Sequence, residues 1–81
     1  MIDEPQFVTD YIRRMNDEKE DLNKKMEKII DFVEGKIFQS LNPVEKELMM
    51  MQLSSMETYA RCLRLRIALA EKVEMNVMKA N

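Results

Sequence analysis

Eighty-one residues with a formal net charge of −2 make one domain at most, and a chain this small buries too little surface to be comfortably stable by itself. The lone Cys62 excludes an internal disulfide and any metal site built on paired thiolates, and the absence of histidine excludes one built on imidazole, so no metal or cofactor is expected. Self-association is the remaining staple.

One Gly and two Pro, among abundant Glu, Lys, Met, Leu and Arg, predict a nearly all-helical chain. Helix 1 can start on Asp3 as N-cap, with Glu4 and Pro5 in its first turn and Gln6 reaching back. Val8, Ile12, Met15, Leu22, Met26, Ile29 and Val33 then follow a four-three spacing, broken only where Lys19 takes the expected apolar slot. That spacing is a heptad seam. Glu20 with Lys24, and Asp21 with Lys25, stand acid-first at i and i+4 on the outer face. Gly35 is the expected left-handed cap that ends the helix.

The bend over 35–42 carries Ile37 and Phe38, expected to fold over the open end of the structure. Asn42, Pro43 and Glu45 then restart a helix as N-cap, first and third positions. The second helix is expected over about 43–78, roughly 50 Å at about 1.5 Å per residue. With helix 1 over about 4–34 and so short a connection, the two must return antiparallel. The expected fold is all-α, a single αα-hairpin domain spanning 1–81, coiled-coil-like and completed by homo-oligomerisation.

Helix 2 has more apolar surface than one partner covers. Met49, Leu53, Met56, Ala60, Leu63, Ile67 and Ala70 form one stripe. Leu48, Met51, Cys62, Leu65 and Leu69 form another, about 100° round the helix. Helix 1 can cover one of them, and the second is assigned to contact with another copy of the chain.

Gln52, Tyr59 and Arg66 recur every seven residues beside these stripes, and this polar row admits two readings. In one it fixes register: Tyr59 falls level with Lys19, where Lys19 or Glu18 can serve the phenol, and Arg66 falls near Asp10. In the other, Arg61, Arg64 and Arg66 face an anionic ligand or partner, with Tyr59 offering a ring for stacking. Arg61 and Arg64 share a face at i and i+3, while Arg66 points elsewhere, so a common pocket requires a neighbouring chain.

Other features read as structural. Met49, Met50 and Met51 are at helical spacing and serve as core filler or as an adaptable surface. No general base stands beside Cys62, so it is no nucleophile. The acidic run from Asp17 to Asp21 is interrupted by Lys19 and reads as a solvated face. Gly35-Lys36 lacks the upstream glycine and the following Ser or Thr of a phosphate loop. Residues 1–34 hold ten acids and six bases, residues 35–81 five acids and seven bases, so the halves complement each other while the whole gives no reason to expect DNA or RNA. MIDEPQF is acidic where a secretion signal is basic, and no apolar run approaches the roughly 20 residues that span a bilayer, so no membrane association is expected.

The segments RRMNDEKEDLNKKMEKIIDF and SLNPVEKELMMMQLSSMETYARCLRLRIALA resemble small helical accessory proteins of tailed phages and prophages, a family labelled after a crAss-like phage. The residues that carry this are Arg14, Met15, Glu18, Leu22 and Phe32, then Leu41, Glu47, Leu48, Gln52, Leu53, Met56, Tyr59, Leu63, Arg66 and Ile67, with Asn42 where the family pattern has Ser. A shorter likeness, through Leu41, Asn42, Glu45 or Glu47, Leu48 and Met49, is to the hairpin-bearing cyclic-nucleotide sponges of phages. The resemblance implies a phage origin and no enzymatic activity, and with neither a secretion signal nor a membrane span expected, the expected location is the cytoplasm of the infected bacterial host. Three roles are compatible with it: binding a host protein in counter-defence or takeover, sequestering a cyclic nucleotide defence signal as an oligomer, or serving as a structural assembly element of a phage complex.

Overall fold

A computed structural model describes the backbone from Glu4 to Ala80 and the side chains from Thr9 to Asn76. The expected cap at Asp3 and the side chains of Pro5, Gln6, Val8 and Met78 lie outside the described residues. The described chain is all-helical: α1 is Glu4–Val33, α2 is Lys36–Ser40 and α3 is Pro43–Ala80.

The connection between the long helices is more ordered than the sequence suggests. Gly35 does not take up the left-handed conformation; its φ of −89° and ψ of 169° are extended, and it caps the start of α2. Glycine is favoured there by proximity, since a Cβ would stand 3.3 Å from the Phe32 carbonyl oxygen. α2 is a five-residue turn of helix, closed by the Ser40 hydroxyl donating to the Ile37 carbonyl at 2.6 Å. It buries Phe38, whose ring meets Phe32 edge-on at 6.4 Å between centroids, with the Lys46 ammonium 5.9 Å from the ring. Ile37 does not join the closure expected of it. The helical turn that carries Phe38 inward leaves its neighbour 67% exposed.

α3 begins as its sequence dictates. The Asn42 Oδ1 accepts from the Glu45 backbone N–H at 2.8 Å, and the Lys46 N–H returns to the Asn42 carbonyl. The helix continues to Ala80, two residues past the expected end, and runs back along α1 over much of its length: Thr9 and Tyr11 near the start of α1 reach Glu74 and Arg66 in the later part of α3. The molecule measures 60 × 18 × 14 Å.

The heptad positions define what is buried between the long helices. Met15 and Leu22 of α1 pack with Ala60, Leu63, Ile67 and Ala70 of α3, and Ile12, Met26 and Met56 close around them. Leu63 is at the centre with no exposed surface. Ala60 and Ala70 are buried too, and their small side chains let the helices approach closely on either side of Leu63. Lys19 is half-buried in the slot it takes from an apolar residue, keeping its stem against the seam. On the outer face of α1, Lys24 meets Glu20 at 3.7 Å; among the described residues Lys25 and Asp21 do not come within ion-pair distance.

Candidate functional site

Close to where the two long helices end their run together, a groove of about 360 Å³ opens between Tyr11 on α1 and Arg66, Leu69, Ala70 and Val73 on α3. The spacing of the α3 residues explains it. Positions 66, 69, 70 and 73 follow one another at three or four residues and therefore share a face, but only Ala70 is buried against α1. The small Ala70 leaves a hollow floor, and the longer side chains on either side form its rims.

Arg66 and Tyr11 form the polar wall. The Arg66 Nη2 donates to the Tyr11 hydroxyl at 2.5 Å, and the guanidinium carbon stands 5.7 Å from the centre of the Tyr11 ring. The hydrogen bond it donates to Tyr11 is the main influence holding the guanidinium charged even more firmly than an ordinary arginine, and the carboxylate of Glu18 adds to it. The wall is thus a fixed positive charge beside an aromatic ring, over an apolar floor. Such a site can receive a ligand that joins an anionic group to a flat or apolar body, because guanidinium and ring are already oriented towards each other before the ligand arrives.

Of the residues singled out from the sequence, Arg66 and Leu69 line this groove. Arg66 finds Tyr11 there, while the nearby Asp10 pairs with Arg13 at 2.7 Å on its own helix. An i, i+3 partner on the same helix was the closer choice for Asp10. Tyr59 is 42% exposed, and among the described residues its hydroxyl has no hydrogen-bond partner in either Lys19 or Glu18. Gln52 is exposed on the same edge of α3. Arg61 and Arg64 are exposed as well, turned away from Arg66 by the roughly 100° per residue of the helix, so one chain does not gather the three arginines. Leu48, Met51, Cys62, Leu65 and Leu69 are all exposed in the single chain.

Tyr11 escaped the sequence reading. Its signal was present but faint: it is the aromatic residue next to Asp10, at the level where α1 meets Arg66. Val73, which continues the row 52, 59, 66 by one heptad, was the other omission. Among the described residues no group of three or more His, Cys, Asp or Glu is arranged to hold a metal ion, and no helix is long and apolar enough to cross a membrane.

An elongated helical protein with a charged, aromatic-walled groove has the make-up of a small binding protein, and comparison with known proteins is specific about its kinship. The model of the Sequestin family matches residues 9–69, and the chain belongs to that family. It is also 38% identical over 58 residues to a protein of Enterobacteria phage T4 described as an uncharacterized 7.5 kDa protein in the denB-rIIB intergenic region, a match that covers 72% of this chain and 91% of the phage protein. No solved structure matches the chain. Together the two findings place it among small phage accessory proteins, as the resemblance of its helices implied, and the family's name is that of a sequestering protein. The matched span includes Tyr11, Arg66 and Leu69 of the groove.

Proposed function

We propose that this chain is a non-catalytic phage accessory protein that acts by sequestration: a helical hairpin, completed by a second copy, that captures a nucleotide-type signal of host defence in the cytoplasm of the infected cell. The observation that carries the reading is the Arg66 guanidinium docked on Tyr11 at the wall of an apolar groove. A nucleotide presents a phosphate to a guanidinium and a base to a ring or an apolar floor, and capture requires affinity without turnover. The family's name supports capture over conversion. In this reading Arg66 and Tyr11 hold the ligand, while Arg61 and Arg64 contribute only to the surface potential.

A second reading rests on a separate observation. Met50, Met51, Leu65 and Leu69 are each close to half exposed or more, and Met, Tyr and Arg are enriched in protein interfaces. They would suit a host protein target. The assembly role in a phage complex has no comparable feature in its favour.

Native mass spectrometry on protein purified gently from bacteria with an active nucleotide-signalling defence separates the readings. Added mass of one or more nucleotides, lost in an Arg66→Ala variant of unchanged helical content, supports sequestration. Protein free of ligand, followed by no heat of binding to a panel of cyclic mono-, di- and trinucleotides, removes it. A stoichiometric complex with a host protein would then move the second reading to the front.

A further inference from the structure

The exposed stripe of α3 is itself a heptad, and it is symmetric about its own middle. Val44, Leu48, Met51, Ser55, Thr58, Cys62, Leu65 and Leu69 succeed one another at alternating intervals of four and three. They form a line about 37 Å long at about 1.5 Å per residue. The five large aliphatic members are each more than half exposed, and α1 covers the opposite side of the helix. Reversing the line about a point between Met56 and Glu57 sets Val44 against Leu69, Leu48 against Leu65, Met51 against Cys62 and Ser55 against Thr58. Large residues therefore meet large ones towards the ends, and small ones meet at the centre. The two hydroxyls at the centre are already satisfied within the helix, Ser55 donating to the Met51 carbonyl and Thr58 to the Ser54 carbonyl, so packing there leaves no polar group stranded.

We infer that the occupant of this stripe is a second copy of the same chain, its α3 running antiparallel to the first about a two-fold axis beside Met56 and Glu57. The flanking positions agree in charge as well as in size. The row Glu45, Gln52, Tyr59 and Arg66 runs along the side of the stripe nearer α1, and antiparallel pairing brings like flanks together. Glu45 of one copy then lies across from Arg66 of the other, and Gln52 across from Tyr59: an acid meets a base, and an amide meets a phenol that has no hydrogen-bond partner among the described residues of one chain. A parallel pairing would instead set this row against the opposite flank, Glu47, Ser54, Arg61 and Ala68, and bring Arg61 of one copy beside Arg66 of the other, like charge against like. The same register seats Val44 of the second copy on Leu69, one of the groove residues, so the first turn of that copy's α3 becomes part of the groove's rim. The groove of one chain is then incomplete without the other. Arg66 can serve both neighbours, since its guanidinium carries five donors.

This inference rests on the self-association proposed above and adds to it an orientation and a register, which the native cysteine makes testable. Met51→Cys places a second thiol opposite Cys62 of the other copy, close enough for a disulfide when dioxygen and copper–phenanthroline are added as oxidant. In the unsubstituted protein Cys62 and its symmetry mate are about 16 Å apart along the axis at about 1.5 Å per residue, too far for a bond. The expected result is a covalent dimer of Met51→Cys with residue 51 of one chain linked to residue 62 of the other, no such product from the unsubstituted protein, and none from Met51→Cys combined with Cys62→Ser. Sedimentation of the reduced proteins distinguishes the failures. A dimer in which residues 51 and 62 do not link, or in which Cys62 links to Cys62, overturns the antiparallel register and leaves self-association standing. A monomer at micromolar concentration overturns both.

Discussion

The hydroxyl of Tyr11 and the guanidinium of Arg66 meet at 2.5 Å across fifty-five residues of sequence, tying the early part of α1 to the later part of α3 at the wall of the groove. The two contribute different things, and substitution can separate them. Tyr11→Phe keeps the ring and removes the hydroxyl that orients Arg66; Arg66→Lys keeps the charge and loses the planar fork. If the groove takes a nucleotide, Tyr11→Phe should weaken binding several-fold. Arg66→Lys should weaken it about tenfold or more, the usual size of a lost charge-assisted contact. Calorimetric titration measures both. Equal affinity in both variants would mean that the ligand does not use this wall.

The core makes a sharper demand. Leu63 has no exposed surface and sits between Ala60 and Ile67 against Met15 and Leu22. Leu63→Ala should cost about 2–5 kcal/mol, most of the stability available to a chain of this length. Loss of the cooperative transition in urea, followed by circular dichroism at fixed protein concentration, is the expected outcome. Leu65→Ala, two residues away on the exposed stripe, should leave the helical content of the chain intact and raise the protein concentration needed for self-association. Equal damage from the two would contradict the division of α3 into an inner and an outer stripe.

The long helices and the inner stripe were legible in the sequence because they rest on local rules: a four-three apolar spacing, an Asn-Pro-x-Glu start and a scarcity of glycine. Met15, Leu22, Leu53, Ala60, Leu63, Ile67 and Ala70 were all on the expected seams, and all are buried. What local rules cannot supply is a contact between distant residues with equally good alternatives nearby. Asp10 and Tyr11 are adjacent, both can receive a hydrogen bond, and which of them meets Arg66 depends on a rotation of α1 that the sequence pattern leaves open. The groove escaped for the same reason: it exists because Ala70 is small and Tyr11 stands opposite, a relation between helices. Ile37 and Phe38 show the limit at its smallest scale, since a single turn of helix between Lys36 and Ser40 decides which of two neighbours goes inside.

Gly35 offers a test of the connection. A glycine held in the left-handed region loses about 1 kcal/mol or more on replacement by alanine, whereas an extended one does not. Here the backbone is extended, and alanine's reduced unfolded-state entropy, about 0.4–1 kcal/mol in its favour, is set against a tight approach of its Cβ to the Phe32 carbonyl oxygen. Gly35→Ala should therefore leave stability within about 0.5 kcal/mol of the original. Asn42→Ala, which removes the side-chain cap of α3, should cost about 1 kcal/mol. Urea titrations of the two variants at one protein concentration compare them directly, and a larger loss from Gly35→Ala than from Asn42→Ala would contradict the backbone described here.

The final prediction concerns pH. Arg66 is the described group whose proton affinity departs from the ordinary value, and the departure is upward, caused first by the Tyr11 hydrogen bond and then by neighbouring charge. A raised pKa in the folded state contributes stability that is fully present below the unfolded value and is lost only as pH rises through the folded one. An arginine titrates far above neutrality even before this upward shift, so the contribution is complete throughout the physiological range. With no histidine in the chain, the groove's positive charge has no internal switch near neutrality. Affinity for a nucleotide whose phosphates are fully ionised should therefore be constant from about pH 6 to about pH 9, while falling steeply with added salt, as a contact carried by a fixed guanidinium does. Titrations at three pH values and two ionic strengths check it. A midpoint near neutrality would mean that a group other than Arg66 controls the ligand, and would move the site away from this wall.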